Sequence, residues 1–493
     1  MKQIFFLLFL SVFLFSCEKV NTGAVPENLL HAERGADPGI YDQKGRFVLL
    51  RGVNYNVLGD YWQANAAVAT TKSYAAEDFK MMAKYGVNCV RLLFSWSKLE
   101  PIRGEYNQDY INQIKKAIED AAANNIYILI DMHQDAFGKY IATPTDVVCD
   151  FPSRGWDGAP NWATITDDES TCTVNGSRES ARAVVHAWQN FWDNTNGIQD
   201  ACVNAWSALV HQTAQYANVV GYDLINEPSL GYKGLDVETQ KISRYYEKCI
   251  EKIRQAESKA GAFQHIIFFE TSVTWNGMEV PFIAFPDLTY EHNMVFAPHT
   301  YFEAISYAFT IEQGFDLIKT LASVYKAKMF VGEYGYFENI TTGAAKLKRF
   351  AIKEDENFTG STWWQWCQAP GDPHGISWDG TQYGNTSMHL IEVDKNGHFT
   401  GNKNDTYLQI LSRTRPAAIC GKPIKLISNP DNGTMHLEGK TTASGQTTLW
   451  ISDRFGVPVI SGTNSSLEEL KTVDGGYIAT VKVDGNYKID VGF

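Results

Sequence analysis

The chain has 493 residues, 44% of them hydrophobic and 20% charged, which is enough to bury a large core and to form more than one domain. This proportion of hydrophobic to charged residues argues against a disordered protein. The formal net charge of −13 is spread along the sequence, which argues against nucleic acid and against an anionic membrane surface as the main partner.

The N-terminus predicts export. Residues 1–16 contain one Lys followed by an almost unbroken apolar run, which is too short to span a bilayer and predicts a signal peptide. The segment Leu14–Cys17 resembles a bacterial lipobox, which predicts that Cys17 is lipidated; a plain signal peptide cut nearby is the alternative. Residues 18–37 predict a tether. We therefore expect an exported lipoprotein of the bacterial cell envelope, held at the membrane by its lipid anchor only.

From residue 47 onward, short apolar runs alternate with amphipathic stretches, as parallel strands and covering helices do. The predicted strands are Phe47–Asn54, Asn88–Phe94, Ile126–Met132, Val219–Asn226, His265–Glu270, Met294–His299, Lys328–Glu333 and Gly360–Trp366. The predicted helices are Ser73–Tyr85, Asp109–Asn124, Val203–Tyr216, Val237–Lys259, Phe315–Tyr325 and Ala344–Glu356. This order predicts an α/β fold, a (β/α)₈ TIM barrel over residues 38–414. A doubly wound sheet is the alternative, but the first predicted strand lacks a Gly-rich phosphate loop after it.

The longest interruption of this rhythm, Gln134–Asn194, has little periodicity and predicts a wall of a substrate cleft. Cys149 and Cys172 lie within it and could pair in an exported protein. Cys89 and Cys249 are predicted to be buried. No C-x-x-C pair is present in the sequence, so we do not expect a zinc site of that type.

Near residue 415 the pattern changes to short alternating strands, including Thr448–Ser452, Tyr477–Val483 and Asn486–Val491. Turn signals are present at Asp474-Gly475 and Asp484-Gly485. Residues 415–493 are therefore predicted to form a small antiparallel β-sandwich domain.

Polar residues mark the carboxyl ends of the predicted strands, which in a barrel converge on one pocket. They are Arg91, Asp131, His133, Asp135, Asn226, Glu227, Glu270, His299, Tyr301, Glu333, Trp364 and Trp366. Asp131, His133 and Asp135 alternate onto one face and could ligate a metal. Hydrogen-bonded support of a carboxylate is the favoured interpretation, because no further ligand cluster accompanies them.

Paired carboxylates across a barrel mouth are what glycoside hydrolysis requires, one protonated and one ionised. Glu227, Glu270 and Glu333 are the candidates. Arg91 could keep Glu333 charged, whereas Glu227 near His299 could be kept protonated. Glu270 is interpreted as a supporting acid, although the sequence leaves it open as a candidate.

Together these dispersed residues resemble glycoside hydrolase family five, a family of retaining (β/α)₈ barrels. They are Arg91, His133, Asn226-Glu227-Pro228, His299, Tyr301, Glu333 within Gly332–Gly335, and Trp366. The resemblance implies that Glu227 is the acid/base and Glu333 the nucleophile. It also implies that Asn226 binds the 2-hydroxyl of the sugar and that Arg91 and Tyr301 hold the nucleophile. Trp366 is implied to be the platform beneath the sugar, with Trp364 as the alternative.

Two motifs, Asp131–Phe137 and Tyr222–Pro228, are similar to the endoglycoceramidase branch of that family, which releases an intact glycan from ceramide and carries a C-terminal β-domain. By this resemblance Asp131 and His133 line the glycan side of the cleft. The prediction is a retaining β-glycosidase acting on glycosphingolipids, without a cofactor or metal.

Two alternatives are kept. The first is an endo-β-glucanase or another β-glucosidase of the same family, and the second is a non-catalytic surface carbohydrate-binding lipoprotein. A lipid-accepting cleft should have an apolar channel on the aglycone side, which we expect to involve Phe302, Tyr307, Trp378 and the long segment Gln134–Asn194.

Overall fold

The structure, a computed structural model, describes residues 25–150, 152–273, 291–375 and 388–493. Its strands are β1 (His31–Glu33), β2 (Gly39–Tyr41), β3 (Phe47–Val48), β4 (Arg51–Tyr55), β5 (Cys89–Ser95), β6 (Tyr127–His133), β7 (Val219–Asp223), β8 (Ile266–Phe269), β9 (Met294–Phe296), β10 (Lys328–Tyr334), β11 (Gly360–Trp363), β12 (Cys367–Gln368), β13 (Ile391–Val393), β14 (Phe399–Lys403), β15 (Arg415–Ile419), β16 (Lys422–Ser428), β17 (Met435–Lys440), β18 (Gly445–Ser452), β19 (Val459–Val473) and β20 (Gly476–Gly492). Its α-helices are α1 (Glu77–Lys84), α2 (Trp96–Leu99), α3 (Gln108–Ala122), α4 (Arg182–Trp192), α5 (Ile198–Thr213), α6 (Leu235–Lys259), α7 (Ile311–Tyr325), α8 (Ile340–Glu356) and α9 (Asp405–Leu411).

Strands β4 to β11 close into a parallel barrel, which confirms the predicted (β/α)₈ fold. Each predicted strand overlaps one barrel strand, and each predicted helix overlaps an observed one. Helix α3 shows why: its side chains Ile111, Ile114 and Ile118 are buried on one face, and the Asn107 side chain accepts a hydrogen bond from the Tyr110 amide at its start. Because all eight strands are parallel, their carboxyl ends meet at one mouth.

The first predicted strand is divided in the structure. Phe47–Val48 forms β3 and pairs with β15, whereas Arg51–Tyr55 forms β4 of the barrel. The apolar run in the sequence continues from one strand to the other because both strands are buried, β3 in the antiparallel sheet and β4 in the barrel. Hydrophobicity alone therefore did not separate the two strands.

The C-terminal residues form an antiparallel sheet, as predicted, and the N-terminal strands β1, β2 and β3 join it. His31–Glu33 lies within the predicted tether but forms an edge strand paired with Gly39–Tyr41. The predicted turn at Asp484-Gly485 is instead part of β20. There β20 changes partner on one edge, from β18 up to Val483 to β17 from Asn486, so the turn signal marks a change of pairing within one strand.

A buried group of charges, which we call the barrel–sheet ion cluster, connects the amino end of the barrel to the C-terminal sheet. Its members are Arg51, Glu354, Asp355, Arg413 and Arg415. Arg51 Nη1 donates to Asp355 Oδ1 at 2.7 Å, and Arg413 Nη2 donates to Glu354 Oε2 at 2.7 Å. The amide of Ser428 on β16 donates to Asp355 Oδ2 at 3.2 Å. The cluster therefore fixes α8 against both parts of the molecule.

The N-terminal predictions are only partly covered by the structure. The predicted signal peptide (1–16), Cys17 and residues 18–24 of the tether lie outside the described residues. Among the residues that are described, helices of a length and hydropathy suited to crossing a membrane are absent.

Candidate active site

A cleft of about 760 Å³ opens at the carboxyl ends of the barrel strands. Of the predicted site residues, those that line it are His133, Asp135, Asn226, Glu227, Tyr301, Glu333 and Trp364. Arg91, Asp131 and His299 are fully buried beneath it. The structure therefore brings the predicted constellation together, with one correction at Trp366 described below.

Arg91 on β5 is the buried centre of the site. Its Nη1 donates to Glu333 Oε1 at 2.6 Å, and its Nε donates to Asp223 Oδ2 at 2.8 Å. Its Nη2 donates to Asn226 Oδ1 at 2.9 Å and lies 2.9 Å from Asp131 Oδ1. One guanidinium thus faces several carboxylates in a dry site. Burial, together with the Asp131 carboxylate and against the effect of Arg91, raises the pKa of Asp223 to about 7.

Glu333, in the carboxyl half of β10, is held by donors on both oxygens. Arg91 binds Oε1, and the Tyr301 hydroxyl donates to Oε2 at 3.0 Å. Hydrogen bonds from a cation and a phenol stabilise the ionised form of a carboxyl group. A carboxylate oxygen of Glu333 lies within 4.8 Å of one from Glu227, so the two acids face each other across the cleft.

Glu227 follows β7 and has a different environment. Burial raises its pKa to about 7, and the nearby Asp135 carboxylate adds to the effect. Its Oε1 lies 2.9 Å from His299 Nδ1, and burial lowers the pKa of His299 to about 3, so that imidazole is neutral. The pair Glu227 and Glu333 therefore combines a carboxyl group that titrates near neutrality with one held by Arg91.

The backbone of Glu227 is fixed in an unusual conformation. Its φ is +39°, which residues other than glycine seldom adopt. The Gln134 side-chain amide donates to the carbonyls of Asn226 and Glu227, at 2.7 and 2.9 Å, and Asn226 Nδ2 returns a bond to the Gln134 carbonyl. Gln134, the first residue after β6, thus positions Glu227, which follows β7. The sequence analysis did not identify this role.

Glu270 lies behind this pair. It is 2% exposed, and its Oε2 is 3.5 Å from His299 Nε2. Burial, with a contribution from the Asp223 carboxylate, raises its pKa well above the usual range, so it is a buried neutral acid. This position agrees with the interpretation of Glu270 as a supporting residue.

The prediction of Trp366 as the sugar platform is wrong in position. Trp366 is fully buried and is not among the residues that line the cleft, whereas Trp364 is. The reason is that β11 ends at Trp363. Trp364 is therefore the first residue at the rim, while the Trp366 amide donates to the Asn54 carbonyl deeper in the barrel. Trp364 also stacks on His133, with ring centroids 5.5 Å apart.

The segment predicted as a cleft wall contributes Asp135, Trp156, Val185 and the residues 174, 175 and 177–180 to the lining. Cys149 and Cys172 form a disulfide within it, and Cys89 and Cys249 are buried, as predicted. The segment is less irregular than its sequence indicated, because Arg182–Trp192 forms α4. Sequence reasoning missed Arg178, whose guanidinium lies over the Trp156 ring at 3.5 Å and 3.6 Å from Asp135.

Two further missed residues differ in the signal they offered. Asp223 is an acid in an otherwise apolar strand, which was a visible sign of a buried partner. His374 lies beyond β11 in a stretch without periodicity, and its sequence context offered no such signal. It contacts Trp364 and Trp156, with centroids 4.8 Å apart in both cases.

The apolar part of the cleft lies on loops after β7, β8, β9 and β10. Its side chains are Leu230, Val273, Ile305 and Phe337. The residues expected there are placed differently: Phe302 is buried, and Tyr307 is 71% exposed and outside the lining. Trp378 lies outside the described residues.

Comparison with known proteins gives consistent matches. The pattern of the family described as cellulase, glycosyl hydrolase family 5, matches residues 41–370. An endoglycoceramidase from Cyanea nozakii is 27% identical over 440 residues, covering 83% of this chain and 82% of that protein. Endoglycoceramidase I from Rhodococcus hoagii is 25% identical over 485 residues, covering 92% and 86%. A solved structure of an endogalactoceramidase is 34% identical, with a TM-score of 0.83, covering 93% of this chain and 99% of that one.

Proposed function

The chain belongs to glycosyl hydrolase family 5, and on this premise we propose that it is a retaining glycosidase that releases the glycan of a glycosphingolipid from its ceramide. One observation carries the proposal: carboxylate oxygens of Glu227 and Glu333 lie within 4.8 Å of each other in the cleft. Retaining glycosidases hold their two carboxyl groups about 5–5.5 Å apart. Relatives named as endoglycoceramidases match most of the chain, which supports the substrate class.

In the first step the Glu333 carboxylate attacks the anomeric carbon, and the bond from that carbon to the glycosidic oxygen breaks. Glu227 transfers its proton to the departing oxygen, so ceramide leaves as an alcohol and the glycan remains as an ester of Glu333. Arg91 and Tyr301 orient the nucleophile through their hydrogen bonds to its two oxygens.

In the second step Glu227, now ionised, accepts a proton from water. The water oxygen attacks the anomeric carbon and displaces Glu333, which restores the enzyme and the configuration at that carbon. A group that first gives and then takes a proton works best with a pKa near the working pH. Burial raises the pKa of Glu227 to about 7, which suits this double role.

One sector of the cleft is lined by apolar side chains, which supports an amphiphilic substrate. The ends of β6 and β11 and the loops beyond them contribute the polar and aromatic residues His133, Asp135, Trp364 and His374, together with Val174, Val185 and Met388. The loops after β7 to β10 contribute Leu230, Val273, Ile305 and Phe337. Polar side chains beside an aromatic ring suit a sugar, and the apolar sector suits hydrocarbon. A polysaccharide would place hydroxyl groups against both sectors. We propose galactose as the sugar next to ceramide, because the 34% identical relative is named as an endogalactoceramidase.

Product analysis tests the proposal directly. The purified protein is incubated with oligosaccharides linked to ceramide through galactose or through glucose, and with a soluble β-glucan. Release of intact oligosaccharide and ceramide supports an endoglycoceramidase, and faster release from the galactose series supports the sugar preference. Activity on the β-glucan alone would replace the proposal with an endo-β-glucanase.

We also propose that the protein is anchored at the cell envelope through lipid on Cys17. The apolar run in residues 1–16 and the lipobox-like Leu14–Cys17 support this. Mass spectrometry of the N-terminus of protein extracted from membranes should find a diacylated Cys17. Release of Cys17→Ser into the soluble fraction would agree, and unmodified, unprocessed wild-type protein would contradict the proposal.

A further inference from the structure

Three side chains on the polar wall of the cleft form a group that the two-step reaction does not require as a unit. His133 Nε2 and His374 Nε2 each lie 3.3 Å from Asp135 Oδ2. One atom from each residue lies within 4.8 Å of the other two. His133 is 1% and Asp135 8% exposed. Within the described residues, neither His133 Nε2 nor Asp135 Oδ2 makes a hydrogen bond of ordinary geometry, although both are within ion-pair range.

These separations match a known coordination geometry. In a tetrahedral site with metal–ligand bonds of about 2.0–2.1 Å, neighbouring ligand atoms are about 3.3–3.4 Å apart. The two nitrogen-to-oxygen distances of 3.3 Å equal that edge length. The three atoms therefore lie close enough together to share one ion, and all three residues line the cleft.

Both imidazoles carry the support that metal-binding histidines usually have. Asp131 Oδ2 lies 2.8 Å from His133 Nδ1, and Asp372 Oδ1 lies 2.7 Å from His374 Nδ1. A carboxylate on Nδ1 keeps a proton there and orients the ring, so Nε2 can bind a metal ion once that ion displaces the Nε2 proton. The same arrangement occurs on both sides of Asp135, although the two histidines come from opposite ends of the catalytic domain sequence.

The surroundings also fix the rings and balance the charge. His133 stacks on Trp364 at an interplanar angle of 13°, and His374 contacts the Trp364 ring from a second direction. Arg178 Nη2 is 3.6 Å from Asp135 Oδ1, the oxygen opposite the one that faces the imidazoles. Three carboxylates (Asp131, Asp135 and Asp372) thus surround the two imidazoles.

We propose that His133, Asp135 and His374 form a binding site for a divalent transition metal of the Zn²⁺ class, and that occupation of this site inhibits hydrolysis. Two imidazoles and one carboxylate favour Zn²⁺, Co²⁺, Ni²⁺ or Cu²⁺ over Mg²⁺ or Ca²⁺. All three residues line the polar sector of the cleft, so a bound ion competes with the glycan. The inhibitory part of the proposal rests on the proposed function, whereas metal binding does not.

The test begins with binding to the folded, tag-free protein. Co²⁺ is titrated and followed by its visible absorption, and the number of ions bound is measured by equilibrium dialysis. We expect one equivalent of Co²⁺ with the intense bands of a tetrahedral site, displaced by one equivalent of Zn²⁺. His374→Gln should abolish this signal. Asp372→Asn should weaken binding by about 10–100-fold, because the partner of the ligating imidazole is lost.

A matched histidine provides the control. His186 lies at the surface between two carboxylates, with Nδ1 2.9 Å from Asp167 and Nε2 3.7 Å from Glu169, but no second histidine completes a group there among the described residues. His186→Gln should leave the cobalt spectrum and affinity unchanged. Circular dichroism confirms that each variant is folded, and His374→Gln, at a side chain that is 14% exposed, is the variant least disturbed by burial.

Inhibition is measured separately, with Zn²⁺ against a range of glycolipid concentrations and with reversal by EDTA. Competitive inhibition that is weakened in His374→Gln supports the proposal. Absence of stoichiometric metal binding, or binding unchanged in folded His374→Gln, overturns the site. Binding without competition overturns its inhibitory role. Protein that binds one equivalent of metal but cleaves no glycolipid overturns the proposed function and leaves the metal site intact.

Discussion

Two buried clusters of arginine and carboxylate lie at opposite ends of the barrel, and they differ in charge balance. At the mouth a single guanidinium, that of Arg91, faces Asp131, Asp223 and Glu333. In the barrel–sheet ion cluster, Arg51 and Arg413 share Asp355. Similar residue types therefore build an acidic site in one place and a basic one in the other.

The titration of the two clusters follows from this balance. At the mouth, burial and neighbouring carboxylates raise the pKa of Asp223 to about 7. In the barrel–sheet ion cluster, Arg413 and Arg51 outweigh burial and hold the pKa of Asp355 below its usual value. The mouth can exchange protons near neutrality, whereas the cluster keeps fixed charges. A buried ion pair therefore indicates function only when its charges are unequal and a cleft reaches it.

The largest effect is expected at Glu333. Glu333→Gln removes the nucleophile, because an amide does not form the glycosyl ester, and kcat/KM on the glycolipid should fall on the order of 10⁴-fold or more. Glu356→Gln, at an exposed acid paired with Lys353 on α8, is the control and should retain activity. Hydrolysis by folded Glu333→Gln at the wild-type rate would contradict the assignment.

Glu227→Gln should lower kcat/KM on the glycolipid by about 10²–10⁴-fold, because the departing oxygen no longer receives a proton. A nitrophenyl glycoside, whose leaving group needs no proton, should show a much smaller decrease in the first step. Burst-phase kinetics separate the two steps. Equal decreases for both substrates would argue against an acid role for Glu227.

Arg413→Met tests the other side of the comparison. It removes one of the two arginines that Asp355 shares and the guanidinium that donates to Glu354 Oε2, so it should lower the free energy of unfolding by about 3–5 kcal/mol, while kcat/KM of the folded protein stays unchanged. Lys348→Met breaks the exposed pair with Asp431 and should change stability by about 0–1 kcal/mol. Denaturant unfolding and initial rates measure both. A large loss of kcat/KM in folded Arg413→Met would show that the two clusters are coupled.

Trp364→Leu should raise KM roughly 2- to 10-fold, corresponding to about 0.5–1.5 kcal/mol for the loss of one aromatic contact. Trp366→Leu should lower thermal stability and leave KM unchanged, because Trp366 is fully buried outside the cleft. Saturation kinetics on the two variants decide which ring supports the sugar. The reverse result would restore Trp366 as the platform.

The pH profile gives the smallest effect and the finest test. The first step needs protonated Glu227, whose pKa burial raises to about 7, so kcat/KM should decrease as pH rises through about 7. Asp135→Asn removes a carboxylate that helps to raise this pKa, and the alkaline limb should move to lower pH. The shape of the profile is compared, since Asp135 also lines the cleft. A limb that stays in place would show that Asp135 does not set the protonation of Glu227.

Much of this arrangement could be predicted from sequence because the barrel makes it simple. Parallel strands alternate with helices, so the apolar runs that end near Glu227 and Glu333 bring these side chains to the same mouth, and Arg91 lies inside β5 beneath them. The residues that could not be predicted lack such a frame. Arg178 and His374 lie on irregular segments, and their contacts depend on how those segments return to the cleft.

By itself, the sequence determined the barrel and the antiparallel C-terminal sheet, because strand periodicity is a local property. The residues left Glu227, Glu270 and Glu333 as candidate acids, and the family resemblance implied the pair Glu227 and Glu333. Only the tertiary structure decided that Trp364 and not Trp366 lines the cleft, because a shift of two residues at a strand end changes which ring borders it. It also decided the charge state of the site. The pKa of Glu227 depends on burial and on Asp135, and the pKa of Asp223 depends on burial and on Arg91. In both cases the interacting residue is distant in sequence from the acid. Electrostatic energies follow distances in space and exclusion of water, and neither is written in the order of the residues.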